Sequence, residues 1–272
     1  MSTPRWLLRR HRRPEAPLRL YFFPHSGGSV GEYLRWSDDL PDVEVFGVQT
    51  PGRGSRLDEA PLTRMDDLVE ALASEVKFGA PYAFFGHSLG AAVAYELAVA
   101  LRDRGLPGPR RLYLSAHEAP HLRRQGESMH RLDEPSLIAA VEEQYGPLPP
   151  EIHEDAEWRG LVLGGLRADM EIVHTYRHTP TAPLKCAITA LGGTNDFVAE
   201  HDLAAWDRYT TGAFALRMFA GDHFYFQEHY GDVLRFLVAD LAELPRRAIP
   251  RPRAVGSAPT VPVAGDGGPD RR

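Results

Sequence analysis

Tyr82-Ala83-Phe84-Phe85-Gly86-His87-Ser88-Leu89-Gly90-Ala91-Ala92-Val93-Ala94-Tyr95 is the stretch on which the fold turns. Four apolar residues of strand length run into Gly-x-Ser-x-Gly, and a helical pattern opens directly behind. Such a strand-to-helix turn is tight enough that a Cβ at 86 or 90 would strike neighbouring backbone, hence the two glycines. Ser88 is left exposed on the turn, in strained backbone, with the N-terminal dipole of the following helix aimed at developing negative charge. A glycine-rich connection carrying an ordinary serine is the plain alternative, and the flanking strand and helix argue against it.

Outward from this elbow, short apolar runs alternate with helical patterns, as a parallel sheet with crossover helices requires. Leu18 to Phe23, Val43 to Val48, Tyr82 to Phe85, Arg111 to Ser115, Cys186 to Leu191 and Ala215 to Phe219 read as strands. Met65 to Phe78, Ala91 to Leu101 and Tyr230 to Leu241 read as helices, the first with apolar residues at 65, 68, 69, 72, 73 and 76. The expected fold class is therefore α/β: an α/β-hydrolase fold, with a mostly parallel sheet, helices on both faces and an inserted helical lid. The lid occupies about 117–183, far more chain than a crossover needs. Within it Asp133 caps a helix entered through Pro135 and closed by Gly146, and Trp158, Leu161, Val162, Met170, Val173 and Tyr176 mark one or two more. An extra helical layer that only thickens the core fits the same pattern.

The hydrolase domain spans 17–244. Residues 1–16 are arginine-rich and read as a solvated basic arm, and 245–272, rich in proline, arginine and glycine without periodicity, as a disordered tail. A net charge of −6 and a pI near 6.1 provide no basic field for nucleic acid. The single cysteine, Cys186, excludes an internal disulfide and a cysteine-based zinc site, and reads as a buried small hydrophobe on its strand. No segment has the apolar run of a signal peptide or a membrane span, so the expectation is a cytoplasmic protein that binds no membrane, metal or cofactor.

A serine hydroxyl is a poor nucleophile at neutral pH, so a histidine must take its proton and a carboxylate must orient that histidine. In this fold the order is serine, acid, histidine. His223 follows the strand Ala215 to Phe219 in a short loop and is the expected base; His229, His201 and His25 fit the order or the strand logic worse. Asp196 leaves the preceding strand through Gly192-Gly193-Thr194-Asn195 and is the expected acid, with Asp222 as competitor. The oxyanion needs two backbone donors. Leu89 supplies one, and the loop Phe23-Pro24-His25-Ser26-Gly27-Gly28 the other, through the Ser26 amide.

With these residues in place the chain resembles the type II thioesterases of polyketide and nonribosomal peptide biosynthesis, from about Leu18 to Leu241. The resemblance rests on Phe23 to Gly28, Pro51-Gly52-Arg53-Gly54-Ser55-Arg56, Gly86 to Gly90 and Gly221-Asp222-His223-Phe224-Tyr225. The family often has alanine at the position of Ser26 and methionine at that of Leu89; both donate through the backbone. The resemblance implies a serine thioesterase that clears aberrant or stalled acyl groups from the phosphopantetheine arm of acyl or peptidyl carrier proteins. A carboxylesterase or lipase would use the same triad, and a non-catalytic binding protein could keep the fold. Arg53 and Arg56 could meet an incoming phosphate or carrier protein, or could brace their loop.

Overall fold

A computed structural model of the chain describes residues 6–123 and 128–244. The proposed tail at 245–272 lies outside the described residues. Seven strands, β1 (Leu7–Leu8), β2 (Leu18–Phe23), β3 (Val43–Val48), β4 (Tyr82–His87), β5 (Arg111–Ser115), β6 (Ala187–Gly193) and β7 (Phe214–Phe219), form one sheet in the order β1-β3-β2-β4-β5-β6-β7. All neighbours are parallel except β1 on β3. The helices are α1 (Val30–Leu34), α2 (Met65–Glu75), α3 (Leu89–Asp103), α4 (Glu134–Tyr145), α5 (Glu151–Glu154), α6 (Ala156–Thr175), α7 (Glu200–Ala204), α8 (Tyr225–Glu228) and α9 (Tyr230–Ala242), with short 3₁₀ turns between some of them.

Strand alternation divides the apolar residues between two cores. Tyr21, Phe23, Tyr82 and Phe84 join the core built with α2 and α3. Leu18, Leu20, Phe22, Ala83 and Phe85 point the other way, to Tyr33, Trp36, Val233 and Leu237 on the side of α1 and α9. A sheet covered on both faces explains why β2, β3 and β4 read as nearly unbroken apolar runs. Each fully buried Phe or Leu among them contributes about 1.5–3 kcal/mol.

Most boundaries fall within a residue or two of the sequence expectation, with one informative shift. Helix α2 stops at Glu75 instead of Phe78 because Val76 turns extended and Phe78 packs its ring on Tyr21 and Tyr82.

The solvated arm expected at 1–16 is corrected from Trp6 onward. Leu7 and Leu8 pair with Val48 and Gly47 as β1, and Trp6 is 3% exposed. Two of the arginines that suggested solvation, Arg9 and Arg13, are matched by groups distant in sequence. Arg9 meets the buried Glu44 at 2.9 Å, and Arg13 donates to the carbonyls of Ser37, Leu40 and Val43.

In the inserted region Asp133 accepts from Ser136 N and Gly146 takes φ +92, the cap and stop expected of α4. Asp155 caps the long α6 through Glu157 N and Trp158 N. These helices bury a small core of their own, Leu137, Val141, Leu163, Leu166 and Met170. They do more than thicken the main core, because they roof a cavity over the carboxyl ends of the strands.

Candidate active site

The elbow is enforced by backbone contact. A Cβ on Gly86 would overlap Gly90 O and Ala91 Cα, and one on Gly90 would overlap Phe23 O at the end of β2. Ser88 between them has φ +53 and ψ −120, a conformation that L residues rarely hold, and it caps α3 with no hydrogen bond from its own side chain. The strain leaves the hydroxyl unengaged at the helix N-terminus.

The base and acid come from adjacent strands. Register pairs Gly193 with Phe219 at the ends of β6 and β7, and the two following loops touch backbone to backbone. Thr194 N donates to Phe219 O and Asn195 N to Gly221 O, each at 2.8 Å, and a Cβ on Gly193 would overlap Asp222 O. This close approach brings His223 Nδ1 to 3.0 and 3.2 Å from the two oxygens of Asp196. The competing Asp222 is exposed and spends Oδ1 on the amide of Phe224, 2.8 Å away, closing its own turn.

With Nδ1 donating to Asp196, the tautomer leaves Nε2 as the acceptor. Nε2 is buried and has no partner among the described residues, and His223 lines the same cavity as Ser88. Phe197 stacks on the imidazole at 4.7 Å and 18°, with Tyr145 of α4 at 5.3 Å. Phe197 itself is 53% exposed, so it covers the imidazole from the solvent side.

Around His223 burial disfavours the charged form of the other imidazoles. Burial pushes His87 well below the ordinary value, with His223 and His25 adding to it. His87 is 0% exposed and bonds through Nδ1 to Ser115 Oγ at 2.8 Å, which in turn meets the Tyr225 hydroxyl at 2.7 Å. It is therefore a packing and hydrogen-bonding residue. Burial, His223 and Arg53 together push His25 down to about 3.

Ser26 and Leu89 line the same cavity, and the amide of neither finds an acceptor within the described residues. The neighbouring amides are engaged: Gly28 N donates to His25 O at 2.9 Å, and Gly27 N to Asp169 Oδ2 at 2.7 Å. Two open donors next to a free serine hydroxyl suit a developing oxyanion.

The cavity holds about 1160 Å³ and is walled largely by apolar side chains, among them Val93, Val141, Leu161, Leu166 and Met170. Among the described residues no group of three or more His, Cys, Asp or Glu is placed to hold a metal, and no helix is long and apolar enough to cross a membrane.

Both arginines of the 51–56 loop brace it. Arg56 is buried, lies over the Trp6 ring at 4.2 Å, and bonds Gln49 O and Glu59. Arg53 pairs with Asp169 and donates to Gly165 O at 2.8 Å, both on α6. Burial pushes the Asp169 carboxyl up, against the opposing pull of Arg53 and the Gly27 amide.

Asp169 was not singled out from the sequence, although a signal existed. It occupies a place on the apolar stripe Val162, Leu166, Asp169, Val173, Tyr176, where a carboxylate must be buried and therefore paired.

Fold and site together define a hydrolase of the α/β class, with the parallel sheet, the elbow and the strand-end loops in their expected order. The chain belongs to the thioesterase family: a thioesterase domain is matched over residues 18–241. It is 33% identical to the gramicidin S biosynthesis protein GrsT of Aneurinibacillus migulanus over 87% of this chain and 94% of that one. It is 37% identical to the thioesterase PikA5 of Streptomyces venezuelae, over 84% and 82% respectively. Among solved structures, the type II thioesterase BorB from the borrelidin biosynthetic cluster superposes with a TM-score of 0.77 at 34% identity, covering 87% of this chain and 97% of that one. The protein is a thioester hydrolase.

Proposed function

We propose that the protein is a type II thioesterase that removes aberrant or stalled acyl groups from the phosphopantetheine arm of acyl or peptidyl carrier proteins in polyketide or nonribosomal peptide biosynthesis. The observation that carries the reading is the buried, unpartnered Nε2 of His223, its ring held by Asp196, on a residue that lines the same chamber as Ser88. Names of relatives supply the pathway class: gramicidin S biosynthesis for one and the borrelidin cluster for another.

His223 Nε2 takes the Ser88 proton as Oγ attacks the thioester carbonyl. The negative charge on the carbonyl oxygen falls to the amides of Ser26 and Leu89. Collapse expels the thiolate, which receives the proton from His223, and leaves an ester on Ser88. Water, deprotonated by the same histidine, then attacks the ester, and the proton returns to Ser88 as the carboxylic acid departs. The chemistry needs no metal or coenzyme of the enzyme's own, because phosphopantetheine enters as part of the substrate. An enzyme acting on carrier proteins of this kind would work in the cytoplasm.

An apolar chamber of this size tolerates many acyl groups, since one methylene changes discrimination by only about 1–3 kcal/mol. Tolerance suits an enzyme that clears errors. A series of acyl chains loaded on a carrier protein, compared with the same acyls on a small thiol and on p-nitrophenol, tests the reading. Faster turnover on the carrier is expected, with Ser88→Ala lowering it about 10⁶-fold. Good cleavage of the p-nitrophenyl esters with intact thioesters would turn the assignment to a carboxylesterase.

A further inference from the structure

Of the amides in the loop from Pro24 to Gly28, one is fixed by a residue far away in sequence and on the lid. Gly27 N donates to Asp169 Oδ2 at 2.7 Å. The same oxygen pairs with Arg53, and Arg53 reaches back to Gly165 O, one turn earlier on α6. Asp169 is 6% exposed, so its carboxylate is committed to these two partners.

Gly27 is the residue after Ser26, and it has φ +73 with Leu166 Cδ1 3.0 Å from where a Cβ would stand. A side chain at 27 would be strained and would press on Leu166, so as a glycine the residue offers no side chain to hold the loop by packing. The Gly28 bond to His25 O lies within the loop and only sets its curl. On the far side His25 Nδ1 is tied to the Tyr33 hydroxyl at 2.9 Å. Between that tether and Gly27 stands the Ser26 amide, with no partner of its own.

We infer that Asp169 is a positioning residue for the oxyanion site: by holding Gly27 N it fixes the Ser26–Gly27 peptide plane, and with His25 tethered on the other side this limits how the adjoining His25–Ser26 plane, which carries the Ser26 amide, can turn from the substrate carbonyl. Because Asp169 sits on α6, the donor is aimed only while this lid helix is seated. The inference rests on the reading of Ser26 as an oxyanion donor. Arg53 acts one step further out, keeping the shared oxygen of Asp169 in place.

The test compares wild type, Asp169→Ala and Asp169→Asn on acetyl and octanoyl thioesters of pantetheine. Misaiming a donor by an ångström costs about 10²-fold, so Asp169→Ala is expected to lower kcat about 10–100-fold on both substrates, with KM changed less than about threefold. The asparagine amide oxygen can accept the Gly27 N–H, so Asp169→Asn is expected to return kcat to within about threefold of wild type. Should the alanine variant fail to fold, the double variant Asp169→Leu with Arg53→Met keeps the volume, buries no charge and is read for the same split.

Retained kcat in the alanine or double variant would overturn the inference. So would a loss confined to KM for the octanoyl substrate, which marks chamber shape, or an asparagine variant as slow as alanine. Wild type inactive on both thioesters would remove the thioesterase reading itself, and the inference with it.

Discussion

His223 Nδ1 faces both carboxylate oxygens of Asp196, at 3.0 and 3.2 Å, while Asp222, adjacent in sequence, turns outward to cap the amide of Phe224. The pairing fixes which nitrogen carries the proton. Asp196→Asn would present an amide that can favour the wrong tautomer, and a loss of about 10⁴ in kcat is expected. Asp222→Asn keeps an oxygen for the Phe224 amide and should stay within a few-fold of wild type. Steady-state kinetics on one thioester decide between them, and reversed effects would exchange the two roles.

The glycines divide into those that hold the elbow and those that merely weaken a helix. Gly86→Ala and Gly90→Ala drive a methyl into backbone that cannot move without dismantling β2, β4 or α3, so loss of soluble folded protein is expected from either. Gly160→Ala and Gly164→Ala meet nothing within 4 Å on the exposed side of α6, and should each add about 0.5–1 kcal/mol. Urea denaturation reads both signs, and a stable Gly90→Ala would mean the elbow is looser than its contacts imply.

Trp6 turns a stretch rich in arginine into part of the fold. Its ring is buried, Arg56 lies on its face at 4.2 Å, and Nε1 donates to Glu75 at 2.8 Å. Trp6→Ala should cost about 3–5 kcal/mol, seen as a lower urea midpoint with kcat unchanged. A cost below about 1 kcal/mol would return the N-terminal segment to the periphery.

What could be read in the sequence divides along the range of the interactions. The six parallel strands and the elbow were legible because burial on both faces writes a contiguous apolar run, and because backbone clash permits only glycine at 86 and 90. His223 and Asp196 were legible because strand order dictates which loops meet. Strand β1 was hidden. Two leucines among arginines carry no periodicity, and the acids that neutralise the arginines, Glu44 and Asp38, lie well downstream. The role of Arg53 was undecided for the same reason, since its partner Asp169 comes from the lid. Long-range ion pairs leave no local pattern; only a carboxylate misplaced on an apolar stripe hints at one.

Imidazoles wholly or partly shielded from water make stability depend on acid. In the unfolded chain a histidine takes up its proton near pH 6.5. In the fold, burial holds His87 and His117 below that value, and burial with the neighbouring His223 and Arg53 takes His25 to about 3. Below about pH 6.5 the unfolded state thus binds protons that the folded state refuses, and stability falls as pH falls. For His25 the loss continues until about pH 3, at up to about 1.36 kcal/mol per pH unit. Other groups also titrate in this range, so the contribution is isolated by comparison. Urea midpoints of wild type and His25→Asn at pH 7 and pH 5 should show a gap smaller in the variant by about 2 kcal/mol, the work of one imidazole protonated only when unfolded. Equal gaps would mean that His25 already carries its proton in the folded protein. That result would also place a positive charge beside His223, where it would oppose the imidazolium the proposed mechanism must form.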